Sequence, residues 1–418
     1  MTLEESAISA RSGYRLTVGH PIALRLWLAS GVSLLGDYVA QGALLMLAYQ
    51  RTGLVLGSAA VFAVGAVPAL LSGALAGSVL DRIPRGRALL FLHLAGAAFV
   101  LIPVVFGGAI PVFVAAALLG ALRAAMVSVR SGAIAEGIGE RYRPPLLALI
   151  GSTEQASQVI GYLAGTGLAV TLGAGNALVI DSVSFVLAAI LLARLSLPEP
   201  TVRERPPITA GWRDIASDPV LRLLAPLVGV TALVGALPET LAAGVAGDSA
   251  WTPLVFAAAP AGQALTMLVL GRTRHVGRPS VQLTHLAWLA LAFGIAALGR
   301  SAAWFVLANF LVGSGVAWTM GPQLTFLKLA PQERMAQITG TMIAVLIAAE
   351  GLGSPLLALL ADQTSIAAVY RVAGFVVLAA ALVGWRIKER TPEAIALDAD
   401  VPTNEGEQSE LDRQPQEV

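Results

Sequence analysis

Apolar runs long enough to cross the roughly 30 Å core of a bilayer, about 20 residues each, recur along almost the whole chain. They fall at 24–49, 56–79, 88–107, 111–134, 145–171 and 175–196, and again at 220–246, 252–271, 281–299, 302–327, 338–360 and 366–387. Turn-forming stretches separate several of them: GGAIP at 107–111, GAGN at 173–176 and GDSAW at 247–251. None of the runs shows the period-two alternation of a barrel strand. The pattern predicts an all-α integral membrane protein: twelve transmembrane helices in two pseudo-symmetric six-helix bundles, 24–196 and 220–387. Between the bundles, LPEPTVRERPPITAGWRDIASDP (197–219) is charged and proline-rich and reads as a cytoplasmic linker. Residues 1–23 read as a cytoplasmic N-terminal segment, and the acidic stretch 388–418 as a disordered cytoplasmic tail.

Composition strengthens this picture. The chain is 56% hydrophobic and 13% charged, against roughly 45–50% apolar residues in soluble domains. The start, MTLEES, is acidic, and the first apolar run is too long for the core of a cleaved signal, so it is expected to stay as a span. Arg51, Arg300 and Arg371 fall on one side of the predicted spans, and Arg123 falls inside one. All other Arg and Lys residues fall on the opposite side, which places both termini in the cytoplasm by the positive-inside rule. The net charge of +1 carries no nucleic-acid signature. Absence of cysteine excludes disulfides, thiol catalysis and cysteine metal sites, and the four histidines lack ligand spacing. With no phosphate-binding loop and no nucleophile–base pair, neither an enzyme nor a cofactor is expected.

Six ionisable residues lie within the spans: Asp37, Arg123, Glu154, Asp181, Glu239 and Glu350. A charge at a helix centre costs about 2.5–3.5 kcal/mol on insertion scales, so such residues face a cavity or one another. Ser30, Ser33, Asp37 and Gln41 share one helix face and should line a central cavity. Arg123 lies halfway along its span and can pair with Asp37 at similar depth. Either Asp37 is a proton or cation site tuned by Arg123, or the two form a permanent structural ion pair. Glu154, Gln158, Tyr162 and Gly165 form a second stripe, with Glu154 as the alternative coupling carboxylate. Glu350, followed by Gly351, Gly353 and Pro355, is the central carboxylate of the second half: a substrate or coupling residue, or a packing residue near a kink. Asp181 and Glu239 read as lying nearer the outer ends, where solvation or gating is expected. Trp318 is a candidate cavity residue, and Trp304 and Trp385 are interfacial anchors.

The two halves echo each other. The second loop of each is basic, GSVLDRIPRGR at 77–87 and GRTRHVGRPS at 271–280, as a duplicated transporter unit would give. The first of these loops resembles the signature of the major facilitator superfamily, in the twelve-helix efflux group that includes drug–proton antiporters and siderophore exporters. Gly77, Asp81, Arg82 and Arg85 occupy signature positions; Pro84 stands in the usual glycine slot, Gly86 where a base is usual, and Arg87 follows. GDYVAQGALLMLAYQRTG (36–53) and NALVIDSVSFVLAAILL (176–192) resemble the first and sixth spans of that group. SQVIGYLAGT (157–166) aligns with the antiporter motif of span five, with Tyr162 in its proline slot.

The resemblance implies that Gly77, Asp81, Arg82, Arg85 and Arg87 form a cytoplasmic gating loop that latches the two halves together. The plainer alternative is that these arginines only fix topology. It further implies a monomeric secondary transporter in a bacterial plasma membrane. Such a protein exports a small molecule (a drug, an antibiotic or a siderophore-like metabolite) by alternating access, in exchange for protons. Import, lipid flipping and a non-transporting sensor of the same fold are the alternatives.

Overall fold

The computed structural model of the chain describes residues 15, 17–80, 83–193, 195, 210–270, 278–317, 335–391 and 394. Within them the chain is almost wholly helical. The first half contains α1 (Pro21–Thr52), α2 (Val55–Leu80), α3 (Arg85–Phe99), α4 (Ile110–Gly137), α5 (Arg143–Leu168) and α6 (Ala174–Leu192). The second contains α7, α8 (Thr252–Leu270), α9 (Pro279–Ala296), α10 (Ala302–Val316), α11 (Met335–Gln363) and α12 (Ile366–Lys388). Helix α7 comes in two pieces, Pro219–Gly235 and Leu237–Ala246, broken at Ala236. Helix α3 is likewise interrupted and followed by a short piece, Ile102–Val105. The turn expected between α5 and α6 is instead a π-helical stretch, Ala169–Gly173, ending at Gly173 with φ 87°. The positive φ suits glycine, which has no Cβ to clash.

The helix ends follow from local chemistry. Proline opens α1, α7 and α9, where a missing N–H costs nothing. The Asp218 side chain accepts from the amides of Val220 and Leu221, and Ser301 and Ser365 cap α10 and α12 in the same way. Gly53, at φ 70°, ends α1. Large apolar side chains such as Phe375, Leu268 and Leu356 point outward, as a lipid-facing surface requires.

Packing repeats with a shift of six helices. Within the first half α1 packs on α5, α2 on α4 and α3 on α6; within the second, α7 packs on α11, α8 on α10 and α9 on α12. Even the closest approaches recur. Gly120 of α4 lies against the backbone of Gly65 in α2, and Gly313 of α10 against the backbone of Ala259 in α8. Such small residues let transmembrane helices come close enough for dispersion to hold them. The halves meet where α2 packs on α11 and α5 packs on α8. We call the face at which α1 begins and α12 ends the terminal face, and the opposite one the far face.

A Cβ at Gly313 would lie 2.6 Å from the Ala259 carbonyl carbon, with no flexible side chain to yield. Gly313→Val is therefore expected to destabilise by about 2–3 kcal/mol through overpacking. In α9, a Cβ at Gly294 meets nothing within 4 Å. Gly294→Ala should be neutral or stabilising by up to ~1 kcal/mol. Melting temperatures of the detergent-purified variants check both.

Candidate functional site

The polar stripe of α1 faces a cavity of about 70 Å³ within the first half. Buried Ser30 and Ser33 and half-buried Asp37 line it from α1, Arg123 and Arg130 from α4, and Glu154 from α5. A volume of this size holds a few water molecules. The expected Asp37–Arg123 ion pair is not formed. Arg123 Nη1 donates to Gln41 Oε1 at 3.2 Å, and the guanidinium lies 5.6 Å from the centre of the Tyr38 ring. Gln41 and the ring thus hold the cation in place. Asp37 makes no hydrogen bond or ion pair among the described residues, and its carboxyl group is left facing the cavity.

Arg130, which falls on the side of the termini in the sequence, also lines this cavity. It lies two helical turns from Arg123, and that seven-residue spacing was the signal for it. The cavity therefore pairs two carboxyl groups with two guanidinium groups.

Glu239 lies in the far-end piece of α7 but is buried there rather than solvated. The break at Ala236 starts a new helical piece, and Glu239 sits in its first turn, 9% exposed. The Tyr162 hydroxyl donates to Glu239 Oε2 at 3.1 Å, and Gln158 Nε2 donates to Oε1 at 3.5 Å. Gln158 thus binds an opposing carboxylate rather than lining an open cavity. Tyr162 is fully buried and lies between the rings of Tyr38 (5.7 Å) and Phe256 (6.1 Å). A continuous series, Gln41–Arg123–Tyr38–Tyr162–Glu239, therefore crosses from one half to the other. Half-buried Glu350 is close enough to interact electrostatically with both Arg123 and Glu239.

Asp181 also departs from expectation: it is fully buried rather than solvated near an outer end. Ser184 Oγ donates to its Oδ1 at 2.9 Å, and Gly36 of α1 packs against both residues. Its Oδ2 has no hydrogen-bond partner.

In the gating loop, Asp81 and Arg82 lie outside the described residues, as does the cavity candidate Trp318. Gly77 belongs to α2, and Arg87 is exposed in the first turn of α3. Buried Arg85 forms a two-pronged pair with Glu136 of α4, Nε to Oε2 and Nη2 to Oε1, both at 3.1 Å. The planar guanidinium matches a carboxylate in a way an ammonium cannot. Arg85→Lys is expected to lower stability by about 1.5–3 kcal/mol, measured as a fall in melting temperature, while Arg87→Lys leaves it unchanged. Trp304 and Trp385 are partly exposed near helix ends, as anchors should be.

Among the described residues, twelve helices in two repeated halves, with ionisable side chains in a first-half cavity and Glu239 buried between the halves, define a polytopic membrane transporter. Residues 26–243 match the Major Facilitator Superfamily, and the chain belongs to it. Among solved structures, the chain is similar to the nucleoside transporter NupG, with a TM-score of 0.71 and 11% identity, covering 88% of this chain and 98% of that one. It is similar also to the POT family transporter PepTSo (TM-score 0.70, 12% identity, 91% and 99% covered). A third likeness is to a peptide transporter POT in complex with sulfate (TM-score 0.68, 17% identity, 89% and 95% covered). At these identities the likeness is one of fold. A comparison with curated protein sequences finds no match.

Proposed function

We propose that this superfamily member exports a small molecule across a bacterial plasma membrane by alternating access, with protons moving inward in exchange. The observation that carries the reading is Asp37: a carboxyl group in a polar cavity, without a fixed partner, beside two arginines held on α4. Such a group can take up a proton on one side and release it on the other without breaking a structural bond first. Glu154 shares the cavity and is the second candidate. The series through Tyr38 and Tyr162 to Glu239 then gives the opposite half a means of sensing that exchange. In this reading the terminal face is cytoplasmic.

The driving force is sufficient. One inward proton provides about 1.4 kcal/mol per pH unit and about 2.3 kcal/mol per 100 mV. Their sum, roughly 3.7 kcal/mol, supports a gradient of about 500-fold for one-to-one exchange of a neutral solute.

Efflux from a pump-deficient bacterial host tests the proposal, using lipophilic cations, macrolides and siderophores with and without a protonophore. Protonophore-sensitive efflux is expected from the intact chain and not from Asp37→Asn at matched membrane levels. Efflux that survives both Asp37→Asn and Glu154→Gln would move the coupling site to Glu239 or Glu350.

A second reading, lipid flipping, draws support from an apolar groove of about 390 Å³ between α5, α8 and α10, lined by Leu163, Leu254 and Phe310 among others. Flipping of a fluorescent phospholipid in reconstituted vesicles tells the two apart.

A further inference from the structure

At the far face one residue joins the two halves through the backbone. Asp362, the penultimate residue of α11, accepts from the first two amides of α2: Val55 N to Oδ1 at 2.9 Å and Leu56 N to Oδ2 at 2.8 Å. The opening amides of a helix have no partners within it and attract negative charge. A residue just before the helix normally supplies the cap. Here the position before Val55 is Leu54, which cannot, and the nearby Thr52 hydroxyl is engaged with the carbonyl of Ala48. The helix of one half is therefore capped by a carboxylate of the other, 307 residues away.

The contact is reinforced around it. Gln50 Nε2 donates to Asp248 Oδ1 at 2.9 Å, again across the two halves. A Cβ at Gly244, in the second piece of α7, would lie 2.8 Å from Val55 Cγ2, so that glycine gives α2 its seat. Deeper along the same pair, Gly351 of α11 packs directly against Ala66 of α2.

From this arrangement we infer that Asp362 is a positioning residue of the transport cycle, an outer latch that holds the far face shut. Opening the far face separates α2 from α11, and neither helix end can then keep these bonds. The latch lies on the α2–α11 seam, one of the two where the halves meet. The inference rests on the alternating-access reading above.

The chain has no cysteine, so spin labels can be placed by two substitutions alone. Ile110→Cys and Leu298→Cys, 76% and 72% exposed at the far ends of the first and second halves, report opening in lipid nanodiscs by pulsed electron resonance. Loss of a helix cap shifts an equilibrium by about fivefold to tenfold. Asp362→Ala should raise the ratio of long to short distances by that factor. Asp362→Asn keeps one accepting oxygen for the two amides and should fall between the intact chain and Asp362→Ala. Leu54→Asp supplies a local cap that competes for the Leu56 amide and should shift the balance toward the open far face with Asp362 still in place.

Two distance populations that ignore all three substitutions would overturn the latch while leaving alternating access standing. A single unchanging distance in every variant, at any pH, would overturn both.

Discussion

Asp37→Asn should abolish concentrative transport while leaving exchange intact. In vesicles with an imposed pH gradient and membrane potential, the compound returned by the efflux panel should fall from an accumulation of about 500-fold to near unity. Counterflow of the same compound, which needs no proton, should continue. The separation follows from the geometry. Arg123 is held by Gln41 and lies over the Tyr38 ring, so removing the charge at position 37 breaks no hydrogen bond of that arginine. Asp181→Asn provides the contrast. That carboxyl group is sealed between α1 and α6, bonded to Ser184 and not part of the cavity lining, so the variant should still accumulate substrate. Retention of the full gradient in Asp37→Asn would remove this residue from the coupling scheme.

Tyr162→Phe should be the more damaging to the fold. The phenol is the nearer of two donors to a carboxylate that is 9% exposed, and the other, Gln158, stands at 3.5 Å. A buried carboxyl group deprived of its donor costs about 1–3 kcal/mol. The loss should appear as a lower denaturation midpoint in detergent. If the cost arises from Glu239, then Tyr162→Phe in a Glu239→Leu background should cost less than half as much, since no acceptor is then left underbonded. Equal costs in the two backgrounds would mean that the ring's packing against Tyr38 and Phe256 matters and the hydroxyl does not.

The fold was legible because apolar length is a strong constraint in a membrane: a span must satisfy its backbone internally and reach both interfaces. All twelve helices follow from that, as does the division into repeated halves. The site was legible only where periodicity reports it. Ser30, Ser33 and Asp37 share a face in the sequence and line one cavity in the structure, whereas Gln41 is not in its lining and accepts from Arg123. Burial is not legible in the same way. Glu239 and Asp181 stand toward span ends in the sequence, where solvation is expected, yet are 9% and 0% exposed because neighbouring helices close over them, and the interruption at Ala236 has no strong signature beyond Pro238. Tyr162, on the second polar stripe and in the proline slot of the antiporter motif, makes the bond to the opposing half, a partner that periodicity cannot name. Arg130 was counted as a topology signal because charge near a span end is ambiguous between a lipid headgroup and a cavity. The sequence leaves two readings of Asp37 and Arg123 open, because placing two opposite charges at one depth does not say which way a long guanidinium turns.

The interruption in α7 also governs how movement can spread. Its first piece, Pro219–Gly235, packs on α11 and α12 of its own half, whereas Leu237–Ala246 packs on α8 and touches α1 and α2 of the other. A continuous helix would carry torque from one membrane face to the other and force both ends to move together. A jointed one does not. The outer contacts and Glu239 can shift as a short lever while the inner piece keeps its place. Access at the two faces can then change in succession, with an occluded intermediate, closed at both ends, between them.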